Sequence, residues 1–278
     1  MPRQRQSPTS LWHPPWSSWR SSGSIPSSTW ATSRSSSGTS SPRRCSSDQQ
    51  FWQTFVNTVI YTLFVVGLGV TLGLFVAVYL KEHTKTNGFI QAVIFSPYVV
   101  SLASVALLWM WIMNKDYGLL NSILGFFDIG AVDWLGDSHV ALVSLILISV
   151  WKSVGYDALI LVSAIQGIPA HLYEAARLDQ ASPWTTFRKI TLPMISPTLF
   201  FLVVVDAIAS LKVFETIQIM TAGGPQNATN TLVFSLYQYG FQFNKVGYAA
   251  AIGVVLLALI AVFAIVYFKL LSNRVHYR

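Results

Sequence analysis

Residues 55–80 read FVNTVIYTLFVVGLGVTLGLFVAVYL, a run without one acidic or basic side chain. A hydrocarbon core about 30 Å thick needs roughly 20 apolar helical residues to cross it. Backbone polar groups find no water there, so a run of this kind is satisfied in lipid as a helix. Four further apolar runs of comparable length follow, at 89–113, 140–165, 197–220 and 247–271. Each is too long for a strand. The five together predict an all-α membrane protein, a polytopic helical bundle.

Composition agrees with that reading. The 278 residues are 53% hydrophobic and only 10% charged, more apolar surface than a soluble core of this size uses. The net charge of +7 lies at the edges of the apolar runs and forms no single stripe with interleaved aromatics, which argues against a nucleic-acid surface. Cys45 is the one cysteine, so no intramolecular disulfide and no Cys-x-x-Cys cluster is available. His13, His83, His139, His171 and His276 are scattered without the spacing that sets two ligands on one face, so no metal site is expected.

Charge also orients the spans. Lys81 and Lys85 follow the first run, Arg177, Arg188 and Lys189 follow the third, and Lys269, Arg274 and Arg278 close the chain. By the positive-inside tendency these segments, and with them the C-terminus, face the cytoplasm. Residues 114–138 carry Asp116, Asp128, Asp133 and Asp137 against Lys115 alone, and face outward together with the segment after Met220. Trp109, Trp111 and Trp151 near span ends read as interfacial anchors.

Residues 1–47 do not fit this scheme. They are crowded with serine, hold Arg3, Arg5, Arg20, Arg34, Arg43 and Arg44 with no acidic residue, and offer no continuous apolar stretch for a signal peptide or a span. Alternation of five spans puts this arginine-rich leader outside, against the charge tendency. A disordered leader is one reading and a misplaced start or frameshift the other. Residues 48–278 form the membrane domain proper.

The cytoplasmic loop at 168–197 is the most informative segment, running IPAHLYEAARLDQASPW from Ile168 to Trp184 and on through Phe187, Ile190, Leu192, Pro193 and Pro197. Pro169 suits a first helical turn, Glu174 to Leu178 are mostly good helix formers, and Asp179 with Ser182 can turn the chain and cap a second helix that starts at Pro183. A helix, a turn and a helix are expected. Ala175 and Ala176 predict a low-relief surface for another protein, with Glu174 and Arg177 spaced to pair with each other or to meet that partner.

This run closely resembles the EAA motif of ABC-importer permeases, with Glu174, Ala175, Ala176, Asp179, Ala181, Leu192 and Pro193 all matching. Gln180 departs from the glycine usual there, a residue suited to positive φ. The resemblance covers about Phe51 to the C-terminus and is similar in particular to sugar-importer permeases of the maltose and glycerol-phosphate type. Tyr117-Gly118-Leu119-Leu120-Asn121, Thr221-Ala222-Gly223-Gly224-Pro225 and Arg274-Val275-His276-Tyr277 carry it further.

The resemblance implies the ABC type I importer permease fold, in which six spans are expected where five stand here. It also implies a bacterial cytoplasmic (inner) membrane location. Glu174, Ala175, Ala176, Leu178, Asp179, Gln180, Ala181, Leu192 and Pro193 would then couple to the ATPase. The implied partners are a second homologous permease subunit, two ATPase subunits and an extracytoplasmic solute-binding protein that delivers a sugar or related polar solute. No cofactor is implied for this chain itself, with ATP and Mg held at the partner ATPase subunits.

Ionisable groups inside spans cost about 2.5 to 3.5 kcal/mol at mid-membrane on insertion scales, so they turn to protein or to a watery path. Asp206 and Ser210 share a face at i and i+4, Lys212 and Glu215 are spaced to pair, and Asp157 lies in the third span near Lys152 and Gly155. A polar solute path and helix–helix contact are both open readings for these positions.

No phosphate-cradling Gly-x-x-x-x-Gly-Lys-Ser/Thr loop, no Gly-x-Ser-x-Gly elbow and no His-Glu-x-x-His pair occurs. Energy is therefore expected from another subunit, and an enzyme is not expected. The rival classes are a self-sufficient membrane channel or secondary carrier, and an intramembrane hydrolase.

Overall fold

The computed structural model describes residues 49–82 and 84–272, with side chains to 269. The readings on residues 1–47, on His83 and on Arg274, His276 and Arg278 lie outside the described residues. Every regular element among the described residues is helical. They run α1 (Gln49–Tyr79), α2 (Lys85–Val99), α3 (Leu102–Ile112), α4 (Leu119–Phe126), α5 (Ala141–Gln166), α6 (Ala170–Leu178), α7 (Pro183–Thr186), α8 (Leu192–Leu211), α9 (Glu215–Met220), α10 (Leu232–Tyr237) and α11 (Val246–Ser272).

Three of the five expected spans are single long helices: α1, α5 and α11. The fourth is longer than expected, because apolar helix runs from Pro183 through α8 to Leu211 and, after a short break, α9 carries it on to Met220. The second is not one helix. α2 and α3 meet at 97°, the geometry of a broken span or a re-entrant loop. Hydropathy counts apolar residues and is blind to this bend.

Two serine–proline pairs explain how helices survive their prolines. Pro97 lacks the N–H that would meet the Val93 carbonyl, and the Ser96 Oγ donates to that carbonyl at 2.9 Å. Pro197 in α8 repeats the device, with the Ser196 Oγ donating to the freed Pro193 carbonyl at 2.8 Å. Beyond Pro97 the backbone becomes extended at Val100, so α2 ends there.

The free carbonyls at that end are met by a cation. Lys152 of α5 donates to the carbonyls of Pro97 at 3.0 Å, Tyr98 at 3.0 Å and Val100 at 2.7 Å. A positive group at a helix C-terminus also opposes the partial negative charge of the helix dipole.

Close approach of α5 to its neighbours rests on glycines. A Cβ at Gly155 would lie 2.1 Å from the Ile94 carbonyl oxygen, and one at Gly73 would lie 2.6 Å from the Asp157 Cβ. Buried residues form a cluster at each end of the bundle. One holds Val70, Ala77, Leu80, Leu161, Ile165 and Ile195, with Leu172, Tyr173 and Ile190 packed on it. The other holds Tyr61, Val105, Leu145, Ile148, Ile217 and Met220, with Leu120 and Trp134 packed on it. The loops expected on one side of the membrane thus gather at one end, and those expected on the other side at the opposite end.

Much of the apolar surface remains uncovered: Leu63 and Phe75 of α1 and Val254, Leu257 and Ile265 of α11 are all strongly exposed. Water would penalise such a surface, whereas lipid and neighbouring spans accept it.

Candidate functional site

Pro169 stands at the N-cap of α6, one place before the helical position expected for it. The helix ends in a Schellman turn, where the Gln180 N–H donates to the Arg177 carbonyl at 3.0 Å and the Ala181 N–H to the Ala176 carbonyl at 2.9 Å. Gln180 adopts φ 53°, the left-handed conformation that glycine takes without strain. The side chain that stands where the motif has glycine therefore carries a local cost of roughly 1 kcal/mol.

Gln180→Gly is expected to tighten this turn, since removing that strain outweighs the added freedom of the unfolded chain. Hydrogen exchange at the Ala181 amide should slow by about fivefold, as befits roughly 1 kcal/mol. Faster exchange would show that the turn carries no strain at Gln180.

Ser182 caps the second helix, its Oγ accepting from the Thr185 N–H at 3.3 Å, and Pro183 follows at the first helical position. Asp179 does not join it in capping. It closes α6 instead, as the C-cap residue.

The second helix is not separate from the fourth span. α7 passes through a π-helical turn at Phe187–Thr191, where the Leu192 N–H reaches the Phe187 carbonyl, directly into α8. Pro193 has no N–H to meet the Lys189 carbonyl, and the helix widens just ahead of it. Tyr173 and Thr191 clasp the hairpin, their hydroxyls 3.1 Å apart with Thr191 buried. Sequence reasoning passed over both, since residues 18 apart announce no contact.

Exposure divides the motif. Glu174, Ala175, Asp179 and Gln180 are exposed, and Leu178 is 85% exposed. Ala176, expected beside Ala175 on the outer surface, is 7% exposed. The reason is helical geometry: Ala176 lies three and four residues after Tyr173 and Leu172, both packed on the core. Only Ala175 offers the low-relief outer surface. Trp184 at the tip is 68% exposed and joins Leu178 as a second large apolar group facing away from the bundle.

Glu174 and Arg177 form no ion pair within 4 Å; among the described residues that distance is met by Lys115 and Asp133. Both line, with Tyr173, Ala181 and Phe187, a cleft of about 640 Å³ between the hairpin and the nearby ends of α1 and α5. Leu192 is half-buried and Pro193 exposed where the hairpin enters α8.

The intramembrane residues divide as well. Asp157 of α5 is 0% exposed and Asp206 of α8 is 8% exposed, both buried where α5 packs on α8, with both Asp157 carboxyl oxygens and the Asp206 Oδ2 lacking a hydrogen-bond partner among the described residues. The two belong to one helix–helix contact. Ser210 is buried on the same face of α8 as Asp206. Lys212 and Glu215 are exposed, flank the break between α8 and α9, and do not pair within 4 Å. A separate cleft of about 460 Å³ between α1, α8 and α11 is apolar, lined by Leu63, Val66, Leu211 and Phe263 among others, with none of these five polar residues.

The family model described as "Binding-protein-dependent transport system inner membrane component" matches residues 69–277. The chain is 34% identical over 226 residues to the trehalose/maltose transport system permease protein MalF of Thermococcus litoralis, covering 81% of this chain and 76% of that one. It is 34% identical over 239 residues to the sn-glycerol-3-phosphate transport system permease protein UgpA of Pectobacterium atrosepticum, covering 85% and 80%. Among solved structures, a chain of a bacterial ABC transporter that imports the acidic polysaccharide alginate superposes with a TM-score of 0.76. That match is 24% identical and covers 82% of this chain and 81% of that one.

Proposed function

This chain belongs to the family of binding-protein-dependent transport system inner membrane components, and from that membership we infer how its parts divide the work of import. It is the multi-pass permease subunit of an ABC importer of the maltose and glycerol-phosphate type, not an enzyme, and works with a solute-binding protein. Hydrolysis of ATP falls to separate subunits. The cargo is a sugar or related polar solute, a reading supported by relatives named for trehalose, maltose and sn-glycerol-3-phosphate.

The hairpin at 168–191 is the surface on which an ATPase subunit bears. One observation carries this reading: the hairpin's second helix is continuous with a span, and its tip presents Leu178 and Trp184 to the outside. Closure of two ATPase subunits on nucleotide moves the tip, α8 moves with it, and the bundle opens outward to take solute from the binding protein. Hydrolysis restores the inward-open state. A second homologous permease completes the pathway, and the hairpin and C-terminus lie on the cytoplasmic side. Asp157, Asp206 and Ser210, buried polar groups where α8 packs on α5, are the stretch along which a polar solute meets the moving span, while Lys212 and Glu215 stand at the break toward the outer end.

Reconstitution tests the reading. The chain alone in lipid vesicles is expected to pass neither maltose nor sn-glycerol-3-phosphate, whereas the assembled importer with its binding protein accumulates its solute only when ATP is supplied. Solute flux through the isolated chain would instead establish a self-sufficient channel or secondary carrier.

A further inference from the structure

A helix on a water-facing protein surface keeps its apolar side in and its polar side out. α4, which follows the bent second span, does the reverse. Its inward side is pinned by Asn121, whose Nδ2 donates to the carbonyls of Lys115 at 3.0 Å and Val132 at 2.8 Å. The Oδ1 of the same side chain accepts from the Val132 N–H at 3.2 Å and from the Trp134 Nε1 at 2.9 Å. Leu120 packs on the cluster that holds Met113, the C-cap residue of α3.

The outward side is apolar. Leu119, Ile123 and Phe126 recur at i, i+4 and i+7, which sets them on one face, and all three are exposed, Phe126 at 85%. Ser122 shares that face, but its hydroxyl proton is already placed on the Gly118 carbonyl at 3.0 Å. Phe127 and Ile129 carry the exposed apolar surface past the end of the helix.

Position decides what covers this face. Only residues 113–118 separate α3 from α4, and the two helices pack on each other. Leu107, Leu108 and Trp111 of α3 are exposed in the apolar surface that lipid accepts, and Trp111 stands in the last turn, where an interfacial anchor belongs. α4 thus lies where the span leaves hydrocarbon, and its stripe continues the lipid-facing surface. A protein that docks and departs would leave these large apolar groups in water between encounters, whereas lipid is always present.

We propose that α4 is an interfacial helix: it lies in the headgroup–acyl boundary of the leaflet opposite the hairpin, with Leu119, Ile123, Phe126 and Phe127 in lipid, and so holds the end of the bent span at a fixed depth. Charge does not drive the insertion. Asp116 and Asp128 are exposed nearby, and Lys115 is engaged with Asp133 at 3.4 Å, so anionic headgroups gain nothing here.

The test places a spin label on the stripe. The assembled importer carrying Cys45→Ser and Phe126→Cys is labelled at position 126 in vesicles of phosphatidylcholine, and its collisions with oxygen and with a water-soluble nickel chelate are measured. Frequent oxygen and rare nickel collisions are expected, giving a depth of about 5 to 10 Å below the phosphates. A label at Asp116→Cys, in the loop ahead of the helix, should stay open to nickel. Nickel access at position 126 equal to that at position 116 overturns the proposal. So does low access to both reagents, which marks a face buried against protein, whether the solute-binding protein or a second permease. Insertion that appears only after phosphatidylglycerol is added overturns it too, because charge and not the stripe would then hold the helix. Ile123→Cys repeats the measurement on the same face and decides alone should Phe126→Cys fail to assemble.

Discussion

Gly155→Ala is expected to cost the permease both its stability and its transport, although it adds a single methyl group. The new Cβ would stand 2.1 Å from the Ile94 oxygen, 2.7 Å from the Ile94 carbonyl carbon and 2.9 Å from the Phe95 Cα. All three are backbone atoms, so no side chain can rotate away. α2 and α5 must separate by about an ångström, which breaks tight packing along their shared face and costs about 3 kcal/mol.

The separation also withdraws Lys152, one turn away, from the carbonyls at the break. Thermal unfolding of the detergent-solubilised complex should show a drop of several degrees, with uptake reduced at least about tenfold. Gly88→Ala provides the control. Among the described residues, its own turn of helix aside, no atom lies within 4 Å of the added methyl, and replacing glycine within a helix is neutral or mildly favourable. Equal stability of the two variants would refute the close packing of α2 on α5.

The second large effect is expected at the hairpin tip and leaves the bundle intact. Leu178 and Trp184 are 85% and 68% exposed, so replacing both by serine removes little packing within the chain. At an interface with a partner each would bury about 1.5 to 3 kcal/mol of apolar surface. The pair Leu178→Ser and Trp184→Ser should therefore weaken retention of the ATPase subunit by at least about a hundredfold, with unchanged thermal stability of the permease. Co-purification and ATP-driven uptake measure the loss. Ala176→Trp makes the contrasting case: Ala176 lies beneath the hairpin, so its enlargement unseats α6 before any partner arrives.

Much of this architecture was legible in the sequence for identifiable reasons. The spans are announced by length and apolarity, because lipid demands both. The hairpin is announced by Pro169, Ser182 and Pro183, whose backbone preferences act locally. The positive φ at Gln180 was marked by the glycine the motif carries there.

What was not legible depends on distant contacts. The second span reads as uninterrupted because Val99, Val100 and Leu102 are as apolar as their neighbours, and the group that stabilises its break is Lys152, more than 50 residues away in sequence. The inward direction of Ala176 follows from Leu172 and Tyr173 meeting the core, and its motif neighbour Ala175 gives no sign of it. The burial of Asp157 and Asp206 needs the packing of two spans. The union of α7 with α8 was hidden because the loop was expected to reach residue 197 and the span to begin there, whereas the π turn and Ser196 carry one helix past Pro193 and Pro197.

The mechanism turns on whether the hairpin tip touches a nucleotide-hydrolysing subunit, and site-directed cross-linking measures that contact. With Cys45→Ser as background, Ala175→Cys is placed in the assembled importer and treated with a short thiol-reactive cross-linker, with and without ATP. A covalent product joining this chain to the ATPase subunit, its yield changing with nucleotide, is the predicted result. If Ala175→Cys in a fully active importer joins to no ATPase subunit in either state, the hairpin is not where the motor acts.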